Sequence, residues 1–207
     1  QSCVHNETDK FANYWVHNGF VTMNKEKMSK SVGNITTIEE ATKKYSGQVV
    51  RLSLLSAQYK QPLDWNNELL SEQSKTLDKW YSMYSEDASK QTPNCFKVLL
   101  DDLNTPLYIS KLHELFQQSQ NGDKDKKKEF NSACRLIGLF NETGTERNKF
   151  KKSKIKIPKE KVLSKIKDRE KAKKDGNYKL ADQIRDDLNK EGIDIKDEKG
   201  KTTWNYK

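Results

Sequence analysis

Two lysines, Lys27 and Lys30, stand three apart in NKEKMSKSVGN, residues 24 to 34. Their neighbours are Met28, Ser29, Ser31 and Gly33. Serines, a glycine and polar flanks mark a surface loop and not a core segment. Two ammonium groups at this spacing in a loop can converge on one anion. Lysine binds phosphate as a compact point charge that needs no fixed fork geometry. An arbitrary K-x-x-K is most often a solvated basic turn, but the full string KMSKS is far rarer. The chemistry it suggests is the handling of a phosphate group.

The composition points the same way. One third of the 207 residues are charged and one third are apolar, a thin apolar supply that favours several small modules over one thick core. Between Glu146 and Lys174, fourteen Lys or Arg stand against four Asp or Glu. That net of +10 exceeds the +9 of the whole chain, so the remainder is close to neutral. Charge this concentrated suggests a polyanionic partner, nucleic acid before acidic membrane, with a solubilising linker as the plainer alternative. Cys3, Cys95 and Cys134 are odd in number, far apart and form no C-x-x-C, so reduced thiols are expected. Cys3 with His5 does not make a metal site, and His113 reads as a packed or helix-surface histidine. No apolar run reaches membrane-spanning length, and the start QSCVHNETDK does not read as a signal peptide. The first residue is not Met, so the chain reads as a piece of something longer.

Several elements must hold the loop in place. Residues 11 to 23 mix aromatic and β-branched residues with a glycine, which predicts strand and turn. Thr37 and Glu40 have capping-box spacing and open a helix over Ile38 to Tyr45. Val49 to Lys60 predicts a buried helix stopped by Pro62, with Arg51 pairing with an acid or touching a polyanion. A long amphipathic helix from Asn67 carries Leu69, Leu70, Leu77, Trp80, Tyr81, Tyr84 and Ala88 on its apolar stripe. Cys95 to Leu103 predicts a shorter helix. Asn104 then caps the next one, with Pro106 in its first turn and Ile109, Leu112 and Phe116 facing inward. NGDKD at 121 to 125 is a turn, and Phe130, Cys134 and Ile137 stripe a helix ending near Gly138. Residues 38 to 140 read as an antiparallel helical bundle. Residues 141 to 158 lack periodicity and read as a linker. Beyond Pro158 come two helices separated by Asp175-Gly176-Asn177, the first with Val162, Ile166 and Arg169, the second with Tyr178, Ala181, Ile184 and Leu188. Gly192 is a C-cap, and a hairpin follows with its turn near Glu198 to Gly200.

KMSKS resembles the second signature of the class I aminoacyl-tRNA synthetases, which join an amino acid to tRNA through an adenylate. Four stretches in order narrow the resemblance to the bacterial-type cysteinyl-tRNA synthetases: YWVHNGFVTMNKEKMSKSVGN, VVRLSLLSAQYKQPLDW, DDLNTP, and the tail from Arg169 through DQIR at 182 to 185 to GKTTW at 200 to 204. The fold class this implies is mainly α. It comprises the end of a class I nucleotide-binding catalytic domain with the KMSKS loop (1–46), an antiparallel helical bundle that binds tRNA (47–140), a basic linker (141–158) and a small α+β anticodon-binding module (159–207).

The resemblance implies that the chain is a C-terminal portion, inactive alone, of a cysteine–tRNA ligase, with the HIGH-type motif and the zinc ligands upstream of Gln1. The parent would take cysteine, ATP with Mg2+ and tRNA(Cys), carry Zn2+, and work in the cytoplasm as a monomer, with no membrane role and no metal ligands in this chain. It implies that Lys30 and Lys27 are catalytic, closing over the ATP phosphates with Met28, Ser29 and Ser31. Trp15, His17 and Asn18 are either adenosine-proximal or structural supports. Arg169, Lys173, Lys174, Arg185 and Trp204 are candidates for tRNA contact. Trp204 is equally suited to stacking on a base and to capping a small core. Two other readings remain: a non-catalytic tRNA-binding protein derived from a synthetase, and a cysteine ligase of the mycothiol type. The intact KMSKS weighs against the first, and the basic tail against the second.

Overall fold

The computed structural model describes residues 10–29, 31, 33–88, 91–154, 157–198 and 201–206. Mostly helical with small sheets, the chain divides into two compact units, Gln1–Asn141 and Glu142–Lys207.

In the first unit, β1 (Val21–Met23) pairs antiparallel with β2 (Glu26–Lys27) and parallel with β3 (Leu63–Trp65). The β1–β2 link is a two-residue turn, Asn24-Lys25, with φ of 52° and 69° at the two positions. Positive φ at both central residues matches the right-handed twist of the flanking strands. A parallel neighbour requires a crossover, which is supplied by α1 (Ile38–Lys44) and α2 (Gly47–Leu55). Thr37 and Glu40 form the expected capping box. The Thr37 backbone N–H donates to Glu40, and the Glu40 N–H donates back to the Thr37 hydroxyl. The Thr37 N–H also holds the Glu40 carboxyl below its ordinary pKa.

The core of this unit gathers Leu52 of α2, Leu77 and Trp80 of α3 (Asn67–Tyr81), Tyr108 and Leu112 of α4 (Thr105–Gln120), and Phe130 of α5 (Lys124–Leu136). Trp80 meets Phe130 edge-on at 5.9 Å, and Phe130 meets Phe140 at 5.8 Å. Asn104 caps α4 as expected, its side chain accepting from the Leu107 N–H. Ile109 and Phe116 lie at the edge of the core, and Tyr108 and Leu115 share the buried face with Leu112.

Several expectations change. Residues 14 to 20 form no strand, because their backbone is committed elsewhere: Gly19 donates to the Tyr59 carbonyl at 2.8 Å. The buried helix stops at Leu55, well before Pro62. Ser56 turns back onto the Ser53 carbonyl, and residues 58 to 60 are drawn to Asp102. Arg51 finds a carbonyl instead of an acid, its Nε donating to Ile137 at 2.5 Å. Helix α3 ends at Tyr81, and Tyr84 folds back to stack on Tyr81 at 5.6 Å. The element predicted over Cys95 to Leu103 is a 3-10 helix at Asn94–Leu100. It is ended by left-handed φ at Asp102 and Leu103, 48° and 54°.

In the second unit, residues read as an aperiodic linker contain α6 (Gly144–Lys154). Its start has its own capping box, in which the Thr143 N–H donates to Glu146 and the Glu146 N–H to Thr143. Helices α7 (Lys159–Lys174) and α8 (Tyr178–Lys190) follow, with Gly192 at φ 83° just past the second. Strands β4 (Ile193–Glu198) and β5 (Lys201–Tyr206) pair antiparallel, and the turn residues Lys199 and Gly200 lie outside the described residues. Val162, Ile166, Leu188, Ile193 and Ile195 form the small core. The period-2 spacing of Ile193 and Ile195 puts both on the face that packs against the helices.

Candidate active-site loop and basic module

Lys27 is the last residue of β2, and its exposed side chain extends over the Phe20 ring, with Nζ 4.9 Å from the centroid. That distance is within cation–π range. Met28 packs partly against the core. The Ser29 and Ser31 hydroxyls are 3.2 Å apart. Lys30, the residue expected to meet the phosphates, lies outside the described residues, as does Val32. Gly33 has φ 69°, the left-handed turn its type allows.

Asn34, which sequence reasoning gave no role, spans the neck of the loop. Its Oδ1 accepts from the Ser29 N–H at 2.9 Å, and its Nδ2 donates to the Lys27 carbonyl at 3.3 Å. A second unforeseen residue, Asp64 of β3, holds the hairpin behind the loop. It accepts from the Lys25 N–H at 2.6 Å, the Thr22 hydroxyl at 2.8 Å and the Asn66 amide at 3.0 Å. These donors, the Lys25 N–H first, keep its carboxyl below the ordinary aspartate range. Hydrogen bonds to the charged form favour ionisation. Asp64 thus stabilises a turn in which Lys25, a residue with a Cβ, adopts positive φ. An Asp two residues after a proline gives no local cue to a partner some forty residues back.

Trp15, His17 and Asn18 are exposed and lie on an irregular segment before β1. Trp15 stacks on Phe11 at 5.2 Å. In the same unit, the DDLNTP stretch is tied to residues 58 to 60. Asp102 accepts from Tyr59 Oη at 2.7 Å and Lys60 Nζ at 2.6 Å, and chiefly the Lys60 ammonium depresses its carboxyl pKa. His113 packs edge-on against Trp80 at 5.0 Å. Burial, with Lys79 nearby, lowers its pKa.

In the second unit the five candidate residues separate. Arg169 is 2% exposed and grips Asp197 with two nitrogens. Lys173 shares the same carboxylate at 2.6 Å. Trp204 packs against the small core, the alternative open to it. Lys174 and Arg185 are exposed. Among the described residues no group of three or more His, Cys, Asp or Glu could hold a metal, and Cys95 and Cys134 are buried free thiols.

Comparison with known proteins gives matches at both ends of the chain. Residues 1–75 match the family model for the tRNA synthetases class I (C) catalytic domain. Residues 164–204 match the Cysteinyl-tRNA ligase anticodon binding domain. The Cysteine--tRNA ligase of Pelagibacter ubique (strain HTCC1062) is 46% identical over 209 residues, taking in 100% of this chain and 46% of that protein. The chain is thus similar along its whole length to cysteine–tRNA ligases. The Cysteine--tRNA ligases of Afipia carboxidovorans and Rickettsia bellii are each 38% identical, over 98% and 94% of this chain and 44% of each relative. The chain therefore spans a little under half the length of the curated ligases it matches. Among solved structures it is similar to a LeuRS in a ternary complex with tRNA and LeuAMS, from Agrobacterium radiobacter K84. That similarity has a TM-score of 0.46 and 17% identity, over 66% of this chain and 22% of the other. The two family models fall on different compact units, one holding the lysine loop and the other the hairpin module.

Proposed function

We propose that this chain is the C-terminal portion of a cytoplasmic, monomeric cysteine–tRNA ligase, contributing the KMSKS loop, a tRNA-binding helical bundle and an anticodon-binding module. The observation that carries the reading is the collinear match to cysteine–tRNA ligases across the whole chain, at 46% identity in one of them. In the reaction, the cysteine carboxylate attacks the α-phosphate of ATP, supplied with Mg2+, to give cysteinyl-adenylate and pyrophosphate. A hydroxyl of the tRNA's terminal ribose then takes the cysteine and releases AMP.

Such chemistry depends on positioning and on charge aimed where negative charge develops. Lys30 and Lys27 would supply that charge to the β- and γ-phosphates, with Ser29 and Ser31 donating to phosphate oxygens and Met28 anchoring the loop. A clamp that tightens only at the transition state raises rate without over-stabilising bound ATP. Trp15, His17 and Asn18 are exposed before β1, a position suited to adenosine contact. Zinc, which the family resemblance implies for the parent, would hold the cysteine thiolate through ligands elsewhere. In the second unit, Lys174 and Arg185 are exposed and can meet tRNA phosphates, and an anticodon-binding family model at 164–204 supports tRNA(Cys) as partner. That module also weighs against a ligase that loads an amino-sugar.

The test is cysteine-dependent exchange between ATP and pyrophosphate by the full-length ligase that contains this chain, followed by charging of tRNA(Cys). Exchange that requires cysteine, with charging of tRNA(Cys) but not of a tRNA with another anticodon, is expected. Exchange driven by a different amino acid, or none, would overturn the reading.

A further inference from the structure

We infer that Asn34 is a positioning residue for the phosphate clamp, tying the neck of the lysine loop so that Lys27 is presented from a fixed main chain. The inference rests on the function proposed above and adds a residue to it.

A carboxamide carries an acceptor and a donor, and here both reach from the loop's exit to its entry, two residues apart. Oδ1 takes the Ser29 N–H at 2.9 Å, and Nδ2 gives to the Lys27 carbonyl at 3.3 Å. Aspartate lacks the donor, serine is too short to bridge, and glutamine carries one more methylene. The left-handed turn at Gly33 brings the side chain back across the neck.

Each side of the neck is attached to a regular element. Lys27 is paired with Thr22 in the β1–β2 ladder, and Asp64 fixes the turn of that hairpin. Downstream, Thr37 opens α1 three residues after Asn34 through its capping box. Asn34 is therefore the cross-brace between a strand and a helix start, and the loop between them carries the two serines. Without it, the loop entry loses both cross-links to Asn34 and gains backbone freedom. Freedom in the clamp costs more in the transition state than in bound ATP, because only the transition state demands close placement of the charge.

The test uses the full-length ligase with Asn34→Ala and Asn34→Asp, titrated for active sites. Losing the brace is expected to lower kcat for ATP–pyrophosphate exchange about tenfold, the scale of one or two net hydrogen bonds. KM for ATP should stay within about twofold, since ground-state binding is little touched. Asn34→Asp keeps the acceptor but loses the donor, so it should fall in the same direction. A full kcat in Asn34→Ala, or a loss confined to KM, would overturn the inference. If the wild-type ligase shows no cysteine-dependent exchange, the proposed function fails, and the inference is decided by a readout independent of activity. In the 207-residue chain, trypsin should cut after Lys27 faster in Asn34→Ala than in wild type, and equal rates would overturn it.

Discussion

Arg169 of α7 and Asp197 of β4 form a bidentate pair, with nitrogen–oxygen distances of 3.1 and 2.9 Å. Lys173 and the Thr202 hydroxyl converge on the same carboxylate at 2.6 and 2.8 Å. One aspartate thus joins a helix to both strands of the terminal hairpin. The guanidinium is buried, whereas the aspartate side chain is 41% exposed, so the pair is shielded from one side only. Arg169 Nε has no partner among the described residues, which leaves the ion pair to carry most of the compensation for burying that charge.

These contacts, Arg169 foremost, hold the Asp197 carboxyl far below its ordinary value. A depressed folded-state pKa stabilises the fold above the unfolded pKa, about 3.9 for aspartate, and that stability drains away as pH falls below it. Unfolding of the second unit should therefore become easier from about pH 4 downward. Asp197→Asn should remove that part of the acid dependence. At pH 7 it should also cost about 2 kcal/mol, less than a fully buried pair because of the aspartate's exposure. Hydrogen exchange of Ile193–Glu198 across a pH series measures both effects. An unchanged acid slope in the variant would rule out Asp197 as its source.

Gly19 offers a steric prediction in the first unit. Its N–H meets the Tyr59 carbonyl at 2.8 Å, and a Cβ there would press into the Gln61 carbonyl and stand 2.8 Å from the Lys60 oxygen. Backbone at residues 60 and 61 cannot swing away as a side-chain tip can. Gly19→Ala should destabilise the unit by about 2 kcal/mol, the cost of overpacking. Denaturant unfolding followed by tryptophan fluorescence checks this, with Gly144→Ala as a control, since nothing lies within 4 Å of a Cβ at that position.

What the sequence made legible was local. Thr37 with Glu40, Asn104 before Pro106, and Gly192 after Leu188 carry their meaning within four residues, and the structure follows each of them. Long-range pairing was not legible. Nothing near Arg169 announces Asp197, 28 residues on, so its pairing with that carboxylate is not readable from the basic stretch around it. Helix α6 was missed for a different reason. Its residues lack an apolar stripe, although Thr143 and Glu146 offer the capping-box spacing that would have found it. Asn34 was overlooked because an Asn after Gly reads as generic turn chemistry, and its bridge appears only once the loop closes on itself.

The loop lysines carry the kinetic prediction. In the full-length ligase, Lys30→Ala should raise the barrier to adenylate formation by about 3 kcal/mol, the scale seen when one transition-state donor is removed. Lys27→Ala should lose less, because its ammonium has an alternative contact on the Phe20 ring. The loss should appear in kcat, with KM for ATP nearly constant. Single-turnover adenylate formation separates this step from tRNA transfer. A Lys30→Ala ligase with a normal rate would remove the loop from the chemistry.

Binding of tRNA by the 207-residue chain tests the second unit. Removing one lysine or arginine that neutralises a phosphate should flatten the plot of log affinity against log salt by about one unit, and weaken binding equally for all sequences. Lys174→Ala and Arg185→Ala, on exposed side chains, should behave this way while the unit stays folded. Arg169→Ala should weaken binding by a different route, since it leaves Asp197 without its principal partner and loosens the hairpin. Circular dichroism and hydrogen exchange of β4 would then change for Arg169→Ala alone. If Lys174→Ala and Arg185→Ala left both slope and affinity at wild-type values, tRNA would have to be held by other residues. If Arg169→Ala lowered the slope with hydrogen exchange of β4 unaltered, its guanidinium would be reaching the nucleic acid after all.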